Sequence, residues 1–238
     1  MRENIIFLES VGSTNDFLRE RAVEGAPDGT VVVAFEQLAG KGRQGHSFVS
    51  NPGGVYLSLL IRPGEGDPLP DLMTVTAKVG VCVCSALKEA FQLDAGIKWV
   101  NDVYYHEKKI CGILVEGAPF VDGRIPYMIV GLGTNLNQES FPSELSGIAT
   151  SLKIEHHRDF SKTDFVESLI SNLYHLRKNL ASPDYLQEYR RLCLTVGREV
   201  TYTKNGILHH SLAVGIDDSF GLITEEETLR SGEVSVRF

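Results

Sequence analysis

The run Gln37-Leu-Ala-Gly-Lys-Gly-Arg-Gln-Gly-His-Ser-Phe48 constrains this chain more than any other stretch. It places three glycines (Gly40, Gly42, Gly45), two cations (Lys41, Arg43) and His46 shortly after Thr30-Val-Val-Val-Ala-Phe35, an apolar run that reads as a buried strand. A glycine-rich loop at a strand end lets backbone N–H groups approach a ligand, and the cations suit an anionic one. Residues 40 to 45 also match G-x-G-x-x-G letter for letter. The dinucleotide fingerprint, however, needs a helix opening at once and an acid roughly 20 positions on. Here Pro52, Gly53 and Gly54 break any such helix, and Glu65 and Asp67 fall in a turn-like segment from Pro63 to Pro68. No G-K-[ST] follows, which excludes a Walker A loop as well.

Composition narrows the partners. A chain of 238 residues has room for one large domain, or a medium domain with a small appendage. Its net charge of −8 argues against non-specific nucleic-acid binding, which needs a basic face. No apolar run approaches the roughly 20 residues of a membrane span, and the N-terminus has too short an apolar core for a signal peptide. Cys82, Cys84, Cys111 and Cys193 form no C-x-x-C pair and sit among apolar residues. They read as reduced core thiols of a cytoplasmic protein.

Ahead of the glycine loop, Ile5-Ile-Phe-Leu8 reads as a strand that turns at Val11-Gly12 into a helix reaching about Arg21. Ser13 and Asp16 have capping-box spacing, so a helix N-cap explains Ser13-Thr14-Asn15 as readily as a polar ligand does. Residues 55–61 form a strong strand, and Leu72, Val75, Val79, Val83, Ala86, Leu87 and Ala90 then recur at helical spacing. Two β-like pieces meet at Asn101-Asp102, and a hairpin at His106-Glu107-Lys108 leads into the strand 109–116. A solvated turn and edge lysines would account for these polar residues. Against that, Lys98 and Lys109 stand beside apolar strands, where a lysine is costly unless it meets an anion or a polarised carbonyl. The apolar run after Pro126 ends in Gly131, Gly133, Asn135 and Asn137, at the kind of strand end where sheet proteins place ligands. Phe165, Leu169, Leu173, Leu176 and Leu180 mark an amphipathic helix capped by Ser161 or Thr163. Ser182-Pro183 opens another helix to about Leu192, with Ser182 as N-cap. Beyond Thr195 come short strands with hairpin turns such as Lys204-Asn205-Gly206, ending in a strand from Val234 to Phe238. These last ~45 residues suit a small β-barrel packed on the main domain.

Taken in order, the polar motifs resemble those of the biotin protein ligase (biotin–acetyl-CoA-carboxylase ligase) family. They are Ser13-Thr-Asn15, Gln37 with Gly40-Lys-Gly-Arg-Gln-Gly45, Lys98-Trp-Val-Asn101-Asp102, Lys108-Lys109-x-x-Gly112-Ile-Leu-Val-Glu116 and Gly131-x-Gly133-x-Asn135. Each is weak alone, and their shared order along most of the chain is what makes them specific. The resemblance implies an α+β fold: a mixed β-sheet with packed helices over residues 1–192, and a small C-terminal SH3-like β-barrel over 193–238. It is to the form without an N-terminal DNA-binding winged helix, since the chain starts just before Ser13. The implied activity joins biotin to ATP as biotinyl-5′-AMP, releasing pyrophosphate. Biotin then passes to one lysine of a biotin carboxyl carrier domain of acetyl-CoA carboxylase or a related carboxylase.

Carried over residue by residue, the resemblance implies that Ser13, Thr14 and Gln37 hydrogen-bond biotin, with Asn15, Gly40, Lys41 and Gly42 around it and Gly112 backing the pocket. Arg43, Lys109 and Asp102 are the implied catalytic residues. Arg43 would hold the biotin carboxylate and the phosphate, Lys109 the carboxyl oxygen being activated, and Asp102 the incoming lysine. His46, Phe48, Lys98, Asn101, Gly131, Gly133 and Asn135 would face ATP or the adenylate, Phe48 as a stacking platform. Mg²⁺ would accompany ATP and neutralise the pyrophosphate, with no dedicated protein cage expected. Val100 stands where the family usually has proline, Gln44 and His46 replace frequent arginines, and Phe48 a frequent tryptophan. These departures bear on nucleotide affinity rather than on reaction class. Two other readings are a lipoate or octanoate ligase or transferase of the same superfamily, whose motifs are not seen, and a biotin-sensing regulator, which needs a DNA-binding segment. A homodimer joined edge to edge through the main sheet stays open.

Overall fold

The computed structural model describes residues 4–64, 72–230 and 234–236. The expected turn past Gly64, and the last two residues of the final expected strand, lie outside these. The chain opens with β1 (Ile5–Leu8), α1 (Thr14–Val23) and β2 (Val31–Ala34), and after the glycine loop come β3 (Val55–Ile61) and α2 (Leu72–Phe91). β4 (Gly96–Lys98), β5 (Asp102–Tyr105), β6 (Lys108–Gly117) and β7 (Met128–Thr134) follow, then α3 (Leu152–His156), α4 (Lys162–Lys178) and α5 (Asp184–Leu192). The chain closes with β8 (Glu199–Lys204), β9 (Ile207–Ile216), β10 (Leu222–Thr224), β11 (Thr228–Leu229) and β12 (Val234–Val236).

Strand alternation sorts the apolar residues into two layers. β1 to β7 form one mixed sheet in the order β1-β2-β3-β7-β6-β5-β4, parallel only between β1 and β2. From β3, Leu57, Leu59 and Ile61 enter the large core beneath α2 and α4, and their neighbour Leu60 meets Leu18 and Ala22 of α1 on the opposite face. Truncating one such fully buried leucine to alanine costs about 2–5 kcal/mol. On the α1 face the apolar layer is short. Where the N-terminus of α1 reaches the sheet, β3 presents Tyr56 and Ser58 instead, both buried. This polar gap is where the candidate site lies.

β8 to β12 form a separate antiparallel sheet in the order β11-β10-β9-β8-β12, the small C-terminal β-unit expected from the hairpin-rich tail. Asn205 and Gly206 both take positive φ (52° and 77°) in its tight turn, as an Asn-Gly hairpin requires. The connection to it covers an edge of the main sheet: Leu194 N–H donates to the Ile97 carbonyl at 2.8 Å, and Cys193 bridges Ile97. Two local readings shift. α3 is an element that periodicity did not reveal, a single short turn capped by Ser151, whose hydroxyl accepts from the Ile154 N–H at 3.1 Å. α5 starts one residue later than expected, because the Ser182 hydroxyl accepts from the Asp184 N–H at 3.3 Å and so closes a turn before the helix. All four cysteines are buried and free. Among the described residues no helix is long and apolar enough to cross a membrane.

Candidate active site

Pairing register builds the floor of the site. Ser58, Gly131 and Leu114 share one row across β3, β7 and β6, and Tyr56, Gly133, Gly112 and Asp102 share the next, which extends onto β5. The glycines are hollows filled from above. A β-carbon on Gly131 would lie 2.0 Å from the Asn15 carboxamide oxygen. On Gly133 and Gly112 it would lie 2.7 and 2.9 Å from the Phe48 ring. Residues 109 and 112 are an odd number apart, so a regular strand would turn them to opposite faces. A β-bulge prevents this: Cys111 pairs with Val103 and Lys109 with Tyr104, leaving Ile110 as an extra residue on β6. Lys109 is thereby re-aimed onto the Gly112 face, the use bulges commonly have beside active sites.

The walls come from three segments. At the N-terminus of α1 the Ser13 hydroxyl accepts from the Asp16 N–H at 3.4 Å, which is half of the expected capping box. Asp16 does not reach back; its carboxylate meets Arg19 at 2.5 Å and Lys41 at 2.7 Å. Thr14 donates through N–H and hydroxyl to the Gln37 carboxamide oxygen at 2.8 and 3.0 Å, joining α1 to the glycine loop. The loop is a small hairpin: Phe48 N–H donates to the Gly40 carbonyl, Gly42 N–H to the His46 carbonyl, and a single 3-10 turn spans Arg43–Gly45 at its tip. No α-helix opens after the glycines, consistent with setting the dinucleotide fingerprint aside. From that tip the Arg43 guanidinium donates to the Asn101 carboxamide oxygen at 3.0 Å, roofing the cleft.

Lys109 and Asp102 form an ion pair at 2.8 Å that lacks the alignment of a hydrogen bond, so Asp102 Oδ1 is buried without a hydrogen-bond partner. The Lys109 ammonium also lies 5.7 Å from the centre of the Phe48 ring. Beneath the floor, burial pushes the Cys111 thiol up to about 12, so it is an inert part of the base. Burial alone would raise the Asp16 carboxyl, but hydrogen bonds and charge from Lys41 and Arg19 hold it below the usual value. The cleft encloses about 50 Å³, below the ~300–1,000 Å³ typical of small-molecule sites, with Arg43 and the Phe48 ring drawn over the glycine floor. One end offers the Thr14–Gln37 hydrogen-bonding group, and the other offers the Arg43 and Lys109 cations over glycines. That suits a ligand with a polar head and an anionic tail.

The sequence profile of the Biotin/lipoate A/B protein ligase family matches residues 7–135, from β1 to the end of the cleft floor. This chain belongs to that family. Among its relatives, the bifunctional ligase/repressor BirA of Bacillus spizizenii is 31% identical over 234 residues, 95% of this chain and 71% of that protein. The biotin–[acetyl-CoA-carboxylase] ligase of Mycobacterium tuberculosis is 30% identical over 198 residues, 79% of this chain and 70% of that one. The solved biotin protein ligase of Aquifex aeolicus in complex with biotin and ATP superposes with a TM-score of 0.85 at 30% identity, covering 99% of both chains.

Within this biotin/lipoate ligase domain the cleft brings together Ser13, Thr14, Asn15, Gln37, Lys41, Gly42, Arg43, Phe48, Asn101, Lys109, Gly112, Gly131 and Gly133. Five expected residues stand off its lining. Asp102 acts on it through Lys109. Gly40 packs against Ser50 and the Phe48 carbonyl, where a β-carbon would lie at 2.3 and 2.4 Å, so it closes the loop instead of facing the cleft. His46 is exposed beside the tip of the loop, and the Lys98 ammonium lies 5.7 Å from the Tyr104 ring centre. Asn135 is 2% exposed and its carboxamide oxygen accepts from Gln138 at 3.0 Å. Two further side chains buttress the cleft: Ser58, which the sequence reading passed over, and Glu116, which it quoted within a motif without giving it a role. Ser58 donates to the Asn15 carboxamide oxygen at 2.6 Å, and Glu116 accepts from Asn15 at 2.7 Å while meeting Arg19 at 2.9 Å. The signal for Ser58 was a lone hydroxyl in an apolar strand, and for Glu116 its place at the end of the Lys108–Glu116 motif.

Proposed function

We propose that this chain is a biotin protein ligase: it activates biotin with ATP to biotinyl-5′-AMP and pyrophosphate, then hands biotin to a lysine of a biotin carboxyl carrier domain. The observation that carries this reading is the glycine floor formed by Gly112 and Gly133, with Lys109 aimed across it by the bulge and Arg43 roofing it. Two anions must meet there, a carboxylate and the α-phosphate of ATP, and they repel each other. Fixed cations on both sides offset that repulsion and stabilise the charge on the five-coordinate phosphorus. The carboxylate oxygen attacks the α-phosphorus, the bond to the bridging oxygen breaks, and pyrophosphate leaves with its Mg²⁺, which enters as counter-ion of the substrate. No group of three or more His, Cys, Asp or Glu side chains suited to a metal ion is found among the described residues.

Thr14 and Gln37, with Ser13 beside them, are assigned to the ureido ring of biotin, and Asn15 keeps that wall in position through Ser58 and Glu116. Phe48, Asn101, Gly131 and Gly133 are assigned to the adenylate; His46 and Lys98 are assigned to the nucleotide's phosphates from beyond the cleft wall, and Asn135, turned to Gln138, to supporting that wall. In the second half-reaction the amine of the acceptor lysine attacks the acyl carbon and AMP leaves. Free lysine has a pKa near 10.4, and Asp102 is the carboxylate set to draw its proton away. The mixed anhydride hydrolyses readily, so the Arg43 roof serves to exclude water. A cytoplasmic location agrees with four free cysteines. An edge-to-edge homodimer is supported by edge strand β1, where Phe7 is 58% exposed.

The test is exchange of labelled pyrophosphate into ATP, with biotin, lipoate and octanoate as parallel acids. Exchange with biotin alone is expected. Exchange with lipoate or octanoate instead moves the substrate to the neighbouring activity of the family, and no exchange with any acid ends the ligase reading.

A further inference from the structure

Trp99 is the chain's single tryptophan, it is 4% exposed, and both of its N–H groups are held from the C-terminal segment. Its backbone N–H donates to the Thr195 hydroxyl at 3.0 Å, and its indole N–H to the Phe220 carbonyl at 2.8 Å. Thr195 is fully buried, and Phe220 takes φ = 62°, a conformation a bulky residue keeps only when its surroundings impose it. They do so here. The Asp217 carboxylate accepts from the Ser219 and Gly221 N–H groups, both at 2.8 Å, and is itself paired with Arg230 at 2.5 Å. The Phe220 ring packs edge-on against Tyr189 at 5.3 Å. A strained turn is thus clamped from both sides with its carbonyl aimed at the indole.

Two and three residues after Trp99 come Asn101, which receives Arg43, and Asp102, which meets Lys109. We propose that Thr195 and the 217–221 turn are positioning elements of the active site: by gripping both donors of Trp99 they set the Asn101–Asp102 turn, and so the roof and the Lys109 pair. This inference rests on reading the cleft as the adenylation site. It predicts a kinetic split, because the biotin wall formed by Thr14 and Gln37 sits on other elements and does not depend on the grip.

Thr195→Val, close to isosteric, removes one grip, and Trp99→Phe removes the other; Thr195→Ser retains the hydroxyl. The lone indole's emission checks that Thr195→Val is folded, and if it is not, Trp99→Phe decides alone. With pyrophosphate exchange and calorimetric biotin binding on the full chain, the grip variants are expected to lose about tenfold or more in kcat, the scale of a small misplacement of reacting groups. Biotin Kd should stay within about twofold of wild type, and Thr195→Ser should recover the rate. A lowered Tm with unchanged kcat, or kcat and biotin Kd worsening together, overturns the proposal. The wild-type control separates the two readings: failure of wild type to exchange with any acid defeats the ligase reading itself, and exchange with a different acid leaves the grip test to be run with that acid.

Discussion

At Gly131 the tolerance for change is set by one neighbour. The Asn15 oxygen that a β-carbon would meet at 2.0 Å belongs to a side chain held at both ends, by Ser58 and Glu116, so it has nowhere to swing. Gly131→Ala is expected to destabilise by about 1–3 kcal/mol, as overpacking does, and to weaken biotin binding; urea unfolding and calorimetry measure the two effects. Lys109 behaves oppositely. Its side chain is 24% exposed and outside the apolar core, so Lys109→Ala should fold normally and lose about 10²–10³-fold in pyrophosphate exchange. Substantial remaining exchange in that variant would remove Lys109 from the chemistry. Ser58, the contact of Glu116 with Asn15 and the alignment of Lys109 were hidden in the sequence, because each depends on a partner more than 40 positions away or on a bulge that no local pattern announces.

The glycine loop is the element on which the two half-reactions turn. Arg43 ties its tip to Asn101, and Lys41 ties its base to Asp16. Arg43→Gly should release biotinyl-AMP before transfer, seen as free adenylate and indiscriminate labelling of bystander proteins; retention of the intermediate would shift that task to the loop backbone. The base is pH-dependent. Lys41 and Arg19 hold the folded Asp16 carboxyl below its ordinary value of 3.8, so its stabilisation is fully present above that value and is lost as pH falls through the lower folded one. The Tm gap between wild type and Asp16→Asn should therefore be open at neutral pH and close on acidification below about 3.8. A gap that stays constant down to pH 3 would contradict this. The hairpin form of the loop was legible in part. Its glycines and the breaker at Pro52 ruled out a following helix, but its contacts with α1 and with Asn101 cross 23 and 58 positions of sequence.

For the whole molecule, the four cysteines test how tightly the main domain is closed. All are buried, and burial pushes the Cys82 and Cys111 thiols up to about 12, so thiolate is scarce at any ordinary pH. Native protein at pH 8 should react with none of them in a thiol-disulfide colour assay, and denatured protein with all four. Rapid reaction in the native state would mean that the sheet and α2 open together. The C-terminal sheet is tied to the main sheet at their connection. Cys193 and Leu194 continue the β4 edge, and the hydroxyl of Thr195 is buried against Trp99.

What the sequence by itself determined is what depends on near neighbours. The sequence placed strands at 5–8, 30–35, 55–61 and after Pro126, and helices reaching about Arg21, from Leu72 to Ala90 and from Asp164 to Leu180, each within a few residues of its observed bounds, and Asn205-Gly206 specified its own turn. The polar motifs, read in order, were enough to find the family. Only the tertiary structure decided which rows of the sheet align, that Ile110 bulges and turns Lys109 inward, that Asn135 points to Gln138, and that Trp99 is gripped from the C-terminal segment. The physical reason is that strand register and buried hydrogen-bond partners are chosen by the summed packing of distant segments, and shifting a strand by one residue would send every one of these side chains to the other face.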